Sequence, residues 1–373
     1  MDNEYAGKFE TGAIAPVTPH LKFLDGLRGV AALYVVLNHS RNLSYAVDAV
    51  PQSLYFLGWG RAAVTIFIAI SGYCLALPVV RSGLALKGGG LHFYQKRARR
   101  ILPPYYVALA LGVIVELFLA SLHHPMVFWS DPLNRKGLFA HLFLAQNWLA
   151  DVEFTFNGPL WSVAMEVQIY LFFPVMVLIW RRFGIAWMLA GTFIFSVGVY
   201  FLTGHRGPAD YLFIFALGVW AAQLSFGKLN LLALKVAFFA CLLAFLAPLH
   251  IREIYTDLIV GVGAASLMAV CARTSFWPHS LLSLSFFTWL GSFSYSLYLV
   301  HGPIQDLFVG TLAGRSWIGP GLPTFLFSCF VLTPIIVGLS YVFHLTIERP
   351  FMTVHKVRTA AKTPLTSPEG ISA

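Results

Sequence analysis

The segment 62–80 reads AAVTIFIAISGYCLALPVV and carries no charged residue between Arg61 and Arg81. A helix needs about 20 predominantly apolar residues to cross a bilayer, and within lipid it satisfies all of its own backbone hydrogen bonds. Similar runs recur along the chain, separated by short basic or Pro/Gly-rich stretches. The pattern therefore predicts an all-α, polytopic membrane protein.

The composition agrees with this fold class. Of the 373 residues, 58% are hydrophobic and 11% are charged, against roughly 25% charged in an ordinary soluble domain. These values exclude a soluble globular enzyme, a disordered chain and a disulfide-rich secreted module. The four cysteines are scattered through the apolar runs, so we interpret them as buried small hydrophobes and predict no metal site.

We predict about ten transmembrane helices with both termini in the cytoplasm, because most of the 25 Lys and Arg residues then lie in cytoplasmic segments. The net charge of +9 is thus explained by topology and does not indicate a nucleic-acid partner. Residues 1–20 and 351–373 are expected to be flexible cytoplasmic ends around one membrane domain, 21–350. The predicted spans are 28–46, 59–80, 101–121, 160–180, 185–203, 209–226, 231–248, 255–273, 285–309 and 323–347.

Polar groups within spans are costly and are therefore candidates for function. In the first span, Arg28 and His39 are eleven residues apart, which is within about 20° of three whole helical turns. Both should lie on one face, about 16.5 Å apart along the axis, with Asp25 one turn from Arg28 and able to pair with it. This arrangement suits a long anionic ligand that enters at Arg28 and reaches His39. The alternative is a topology-setting Arg and a structural His.

A basic stretch before the third span contains Arg97 and Arg100. If the helix has already begun there, the two guanidiniums lie one turn apart and form a clamp suited to phosphates. An ordinary stop-transfer cluster is the competing interpretation.

Two further polar stripes occur at helical spacing. Ser162, Glu166 and Tyr170 recur every four residues in the fourth predicted span, where a carboxylate suits acid-base chemistry or is held by a structural partner. Ser294, Tyr298 and His301 lie within about 60° on one face of the ninth span, where such stripes can also simply join helices.

Together these stretches resemble the integral-membrane acyltransferase-3 family, in family order from residue 21 to 350. Many members have Glu-Glu-Gln where this chain has Glu166-Val167-Gln168, so a mechanism that needs two adjacent acids is not expected. The fused extracytoplasmic SGNH hydrolase-like domain of some members is not expected either. The matching residues are Leu24-Asp25-Gly26-Leu27-Arg28-Gly29 with His39, Phe67 with Ser71-Gly72, Arg97 with Arg100, Trp161-Ser162 with Glu166, Tyr170 and Pro174, Ser294-Tyr295-Ser296-Leu297-Tyr298 with His301, and Glu348-Arg349-Pro350.

The resemblance implies an acyltransferase of the bacterial inner membrane. Such an enzyme moves an acetyl or other short acyl group from cytoplasmic acyl-CoA, usually acetyl-CoA, to a hydroxyl of a cell-envelope glycan. The acceptor would be an exopolysaccharide or lipopolysaccharide precursor or a lipid-linked sugar, and membrane lipid and the polysaccharide biosynthesis machinery are the other expected partners.

The expected roles follow from the polar stretches. Arg28, Arg97 and Arg100 would bind the CoA phosphates, His39 would act as general base or transient acyl carrier, and Glu166 would position the acceptor or the imidazole. Asp25, Ser162, Tyr170, Ser294, Tyr298 and His301 would support the substrates. A transporter or flippase for a lipid-linked sugar, and a silent scaffold in polysaccharide assembly, are the competing functions.

Overall fold

The computed structural model describes residues 21–43, 57–122, 134–203, 208–227, 230–246, 253–311 and 321–352, and contains no strand in these ranges. The predicted flexible ends 1–20 and 351–373 lie outside the described residues, apart from Phe351 and Met352. The helices are α1 (Lys22–Leu43), α2 (Gly60–Arg81), α3 (Gly89–Ser121), α4 (Arg135–Leu142), α5 (Leu160–Phe183), α6 (Ile185–Thr203), α7 (Pro208–Leu224), α8 (Leu231–Leu246), α9 (Glu253–Cys271), α10 (Trp277–Leu282), α11 (Ser285–Ser292), α12 (Ser294–Thr311), α13 (Leu322–Phe327) and α14 (Thr333–Phe343).

The predicted all-α membrane fold is confirmed. Within the described ranges, five helical stretches are long and apolar enough to cross a membrane: Gly60–Arg81, Gly89–Ser121, Leu160–Phe183, Ile185–Leu202 and Leu322–Phe351. Each of the ten predicted spans overlaps a helix or consecutive helices in its described residues. The number of crossings and the cytoplasmic position of the termini stay predictions.

The ninth predicted span is interrupted. Phe293, with φ −128° and ψ 22°, separates α11 from α12, and the Ser294 hydroxyl donates to the Gly291 carbonyl at 3.0 Å at the break. The last predicted span is also irregular, because π-helical turns at Ser328–Leu332 and His344–Glu348 flank α14. Such turns often occur at functional sites in helices, and the second one carries Glu348 into the protein interior.

Glycines bring α1 very close to the α10–α11 pair. A Cβ atom on Gly291 would overlap the carbonyl oxygen of Asp25, and one on Gly26 would overlap the carbonyl oxygen of Leu282. Membrane helices use small residues for such close backbone approaches. This packing fixes the start of α1, and therefore Asp25 and Arg28, against the break at Phe293.

The connection between α4 and α5 is held against the bundle by buried polar groups. Glu116 of α3 accepts a hydrogen bond from the Phe156 backbone N–H at 2.8 Å, and the Asn157 amide donates to the Leu299 carbonyl of α12 at 2.9 Å. Both side chains are buried. These bonds keep the connection, including Glu153 and Phe154, packed beside α1 and α12.

Candidate active site

Two cavities lie back to back inside the helix bundle. The first, which we call the arginine cavity, has a volume of about 380 Å³ and contains Arg28, Arg97 and Arg100 together with Glu166 and Glu348. Its full lining is Asp25, Arg28, Val64, Phe67, Ile68, Ser71, Arg97, Arg100, Ile101, Ser162, Val163, Glu166, Tyr170, Gly291, Ser292, Ser294, Tyr295, Tyr298, Glu348 and Met352.

The second cavity, the histidine cavity, has a volume of about 490 Å³. It is built from the C-terminal end of α1, the N-terminal end of α2 and the connection before α5. Its lining is Val35, Asn38, His39, Asn42, Gly58, Gly60, Arg61, Val64, Glu153, Phe154, Trp161 and Tyr298.

Val64 and Tyr298 line both cavities, and we call this pair the partition. The Tyr298 and Ser162 hydroxyl oxygens are 2.6 Å apart and share a hydrogen bond, and the Phe67 ring packs edge-on against Tyr298. The expectation that one ligand extends from Arg28 to His39 stays a prediction. The two residues lie along one helix and each lines one of the two cavities, which adjoin at side chains of α2 and α12.

Arg28 is held by two neighbours. Its Nη1 donates to Asp25 Oδ1 at 3.2 Å, so the predicted pairing is present, and its Nη2 donates to Cys74 Sγ at 3.1 Å. These bonds orient the guanidinium within the arginine cavity, where an anion can approach it.

Arg97 and Arg100 project into the arginine cavity from the first part of α3. The helix begins at Gly89, so the condition for the predicted clamp is met. Lys96 and Arg99, on the same turn, are exposed and do not line the cavity. Arg97 Nε is buried and has no hydrogen-bond partner among the described residues, which leaves donor capacity for a ligand.

Glu166 lies in the arginine cavity and not beside the imidazole. It accepts a hydrogen bond from the Tyr170 hydroxyl at 2.5 Å, and Ser71 in turn bonds to the same hydroxyl at 2.5 Å. Since a phenol has one proton, the proton in the second bond comes from Ser71. The predicted stripe of Ser162, Glu166 and Tyr170 is therefore brought together in the lining of the arginine cavity.

His39 is paired with His301 across the α1–α12 interface. His39 Nδ1 and His301 Nε2 are 2.7 Å apart, and the two rings are nearly coplanar, with centroids 4.9 Å apart and planes 16° apart. His301 is fully buried and lines neither cavity. The predicted stripe on α12 is thus divided: Ser294 faces the arginine cavity, Tyr298 forms the partition, and His301 lies behind His39.

Two groups of polar residues were not assigned a role from the sequence. Glu348 lines the arginine cavity and accepts hydrogen bonds at Oε2 from Ser296 at 2.6 Å and from His344 at 2.8 Å. The Glu348-Arg349-Pro350 motif was the only signal for this carboxylate.

In the histidine cavity, Arg61 pairs with Asp257 at 2.8 Å, and Thr65 donates to the other carboxylate oxygen at 2.9 Å. The charges of both residues, each inside a predicted span, were the available signal for this pair. Their pairing between α2 and α9 could not be read from local spacing.

The fold and these cavities define a polytopic membrane protein in which a cavity lined by three arginines adjoins a cavity that contains a histidine. A family model described as an acyltransferase domain matches residues 21–343. The chain belongs to the acyltransferase-3 family, as its motifs indicated. No solved structure matches the chain.

Three curated relatives share between 26% and 28% sequence identity with the chain. A protein of Staphylococcus aureus (strain COL), provisionally named an O-acetyltransferase, is 26% identical over 380 residues, covering 88% of this chain and 56% of its own. Nodulation protein 10 of Rhizobium leguminosarum bv. viciae is 28% identical over 217 residues, 51% of this chain and 53% of its own. Acyltransferase MdmB of Streptomyces mycarofaciens is 28% identical over 270 residues, which cover 70% of this chain and 60% of the relative's length. The chain spans just over half the length of these relatives.

Proposed function

We propose that the protein is a membrane O-acyltransferase that transfers an acetyl or other short acyl group from cytoplasmic acyl-CoA to a hydroxyl of a cell-envelope glycan. In this proposal the arginine cavity binds the acyl-CoA, the histidine cavity binds the glycan, and transfer occurs at the partition. The family membership and the O-acetyltransferase and acyltransferase names of its relatives support the reaction class.

The donor assignment rests on charge. Three guanidiniums converge on one chamber, and guanidiniums bind phosphates through paired, charge-assisted hydrogen bonds. Arg97 Nε is buried without a partner among the described residues, and such a group costs free energy until a ligand satisfies it. A CoA thioester offers several phosphates at one end and the reactive carbonyl at the end of a long arm. The phosphates would bind Arg28, Arg97 and Arg100, and the thioester would extend to the partition.

The acceptor assignment rests on the contrasting chemistry of the histidine cavity. Its guanidinium, Arg61, is already paired with Asp257. The remaining lining includes a carboxylate at Glu153, which disfavours a polyanion, amides at Asn38 and Asn42, and aromatic faces at Phe154 and Trp161. A sugar ring presents hydroxyls at its edge and C–H groups on its faces. Amides can pair with the hydroxyls, and the aromatic rings can pack against the C–H faces. A glycan therefore fits this chamber better than a polyanion does.

The chemistry follows from the position of His39. His39 Nε2 removes the proton from the acceptor hydroxyl, whose oxygen attacks the thioester carbonyl from the histidine-cavity side of the partition. The new C–O bond forms, the C–S bond breaks, and the CoA thiolate leaves with the proton that His39 returns. Direct transfer needs no covalent enzyme intermediate, and an acyl-imidazole at the same nitrogen would use the same geometry.

The observation that carries the proposal is the shared partition. A chamber lined by three arginines and a chamber containing a histidine meet at Val64 and Tyr298. A polyanionic acyl-CoA and a glycan can therefore approach one another from two directions without sharing a binding site.

The test is mass spectrometry of envelope glycans from cells with and without the protein, joined to an assay of acyl-CoA consumption by the purified protein. We expect a glycan species that carries an added acyl group only when the protein is present, together with release of free CoA. Identical glycans in both strains and no CoA release would contradict the proposal.

A transporter is the one competing function that a structural observation favours, since two cavities separated by a thin partition also resemble a closed permeation path. It predicts movement of a lipid-linked sugar across the membrane without any consumption of acyl-CoA. The same pair of measurements separates the two functions.

A further inference from the structure

A chain of hydrogen bonds runs from the backbone of α12 to the histidine cavity. The Leu297 carbonyl oxygen lies 3.1 Å from His301 Nδ1, His301 Nε2 lies 2.7 Å from His39 Nδ1, and the His39 ring lines the cavity. His301 is fully buried between these two partners.

The valences of the atoms fix where the protons are. A carbonyl oxygen can only accept, so His301 Nδ1 must carry the hydrogen of the first bond. A neutral imidazole has one N–H, so His301 Nε2 is then bare and must accept. The hydrogen of the second bond therefore belongs to His39 Nδ1, and the Nε2 of a neutral His39 carries a lone pair and no hydrogen.

We propose that His301 is a positioning residue that holds His39 in the tautomer with a bare Nε2, because its own tautomer is fixed by the Leu297 carbonyl. This inference rests on the proposed function, in which Nε2 of His39 takes the proton of the acceptor hydroxyl. The second ring nitrogen of a catalytic or ligating histidine is commonly fixed in this way by its hydrogen-bond partner.

In the proposed reaction, His301 also stabilises His39 after His39 has taken the proton of the acceptor hydroxyl. When the acceptor O–H bond breaks and the proton joins His39 Nε2, His39 becomes a cation that donates from Nδ1 to a neutral acceptor. The buried ring of His301, whose plane lies 16° from that of His39, holds that acceptor in line without adding a permanent charge to the interior. The hydrogen-bond partner of His39 is therefore an imidazole, whereas Glu166 hydrogen bonds to Tyr170 in the other cavity.

The direct test is ¹⁵N NMR of the purified, histidine-labelled protein in lipid, with the His39 signals assigned by their loss in His39→Ala. We expect the wild-type protein to show a protonated Nδ1 and an unprotonated Nε2 at His39. A protonated Nε2 in the neutral wild-type ring would overturn the inference. This measurement needs no variant of His301 to fold.

Kinetics of two variants provide the second test. His301→Gln keeps an acceptor oxygen for His39, whereas His301→Leu does not. We expect His301→Leu to lower kcat by about 10- to 100-fold, the usual cost of losing such a supporting partner, with the KM for acyl-CoA unchanged. His301→Gln should recover most of kcat and keep the wild-type tautomer. Equal kcat values for the two variants would contradict the inference.

The two tests distinguish failure of the inference from failure of the proposed function. If the wild-type protein releases CoA but His39 carries its proton on Nε2, only the inferred role of His301 is contradicted. If the wild-type protein releases no CoA in the presence of envelope glycan, the proposed function falls, and the role of His301 in the reaction falls with it.

Discussion

The two cavities differ in the number of charged side chains more than in size. The arginine cavity combines three guanidiniums with carboxylates at Asp25, Glu166 and Glu348. The described lining of the histidine cavity has only two charged side chains, Glu153 and Arg61, and Arg61 pairs with Asp257 across the α2–α9 interface. One chamber is therefore suited to a polyanion, and the other to a polar molecule without strong charge.

This difference teaches how a membrane protein can bring unlike substrates together. A site that bound both a polyanion and a sugar would have to compromise between strong charge and neutral hydrogen bonding. In the proposed function the two substrates bind in separate cavities, which adjoin at Val64 and Tyr298. Substitutions on the two sides should consequently affect different kinetic constants.

The largest expected effect is at His39. In our account His39→Ala removes the general base, whose contribution in enzymes is about 10²- to 10⁴-fold in rate, so CoA release should become undetectable or nearly so. Binding of acetyl-CoA should persist, because the donor is held in the other cavity. Rate and affinity are measured on the same purified sample. His92→Ala, at an exposed residue outside both cavities, is the control.

The second largest effect is expected at the phosphate clamp formed by Arg97 and Arg100. Arg97→Gln together with Arg100→Gln should raise the KM for acyl-CoA by about 100-fold, since each hydrogen bond to a charged group contributes about 1.5–3 kcal/mol. The KM for the acceptor should change little. Steady-state kinetics with each substrate varied in turn gives both constants.

The chain offers a matched control for this experiment. Lys96→Gln together with Arg99→Gln removes the same charge from the same helical turn, but at exposed residues outside the cavity. If both double variants raise the KM equally, the clamp is only a topological cluster of basic residues.

A packing effect of intermediate size is expected where α1 meets α11. Gly291→Val should lower the melting temperature, because its side chain would overlap the Asp25 carbonyl and overpacking costs about 1–3 kcal/mol. It should also weaken acyl-CoA binding through the displacement of Arg28. Gly191→Ala is the control, since a Cβ there meets no neighbouring atom. Equal melting temperatures for the two variants would contradict this packing.

The smallest effect is at the partition itself. Tyr298→Phe keeps the ring but removes the hydrogen bond to Ser162, which is worth about 0.5–1.5 kcal/mol. We expect kcat to change by less than about 10-fold and the KM values of both substrates to stay the same. A large change in one KM alone would assign Tyr298 to that substrate's site and not to the wall between the sites.

Much of the architecture could be predicted from the sequence. The run at 62–80 and its counterparts determined the fold class, because apolar length is a local property. Spacing along one helix also predicted correctly that Asp25 pairs with Arg28 and that Arg97 and Arg100 share a face. These are contacts or registers within a single helix, which a fixed angle per residue describes well.

The division into two cavities could not be predicted in this way. Arg28 and His39 are related by whole turns of α1, but whether a path joins them depends on Val64 of α2 and Tyr298 of α12. The pairing of His39 with His301 likewise joins residues 262 positions apart. Glu166 was expected to position the acceptor or the imidazole. Which of the two cavities this side chain lines depends on how α5 packs against α3 and α2.

We propose that donor and acceptor meet at the partition from opposite faces of the membrane. With the start of α1 on the cytoplasmic side, as the sequence predicts, the arginine cavity is nearer the cytoplasm and the histidine cavity is nearer the other face. Inverted and right-side-out membrane vesicles from cells that contain the protein test this proposal with radiolabelled acetyl-CoA, which does not cross a bilayer. The account predicts labelled glycan only in inverted vesicles, inaccessible to added esterase until detergent is present, and absent with His39→Ala. Labelled glycan on the same face as the added acetyl-CoA would contradict it.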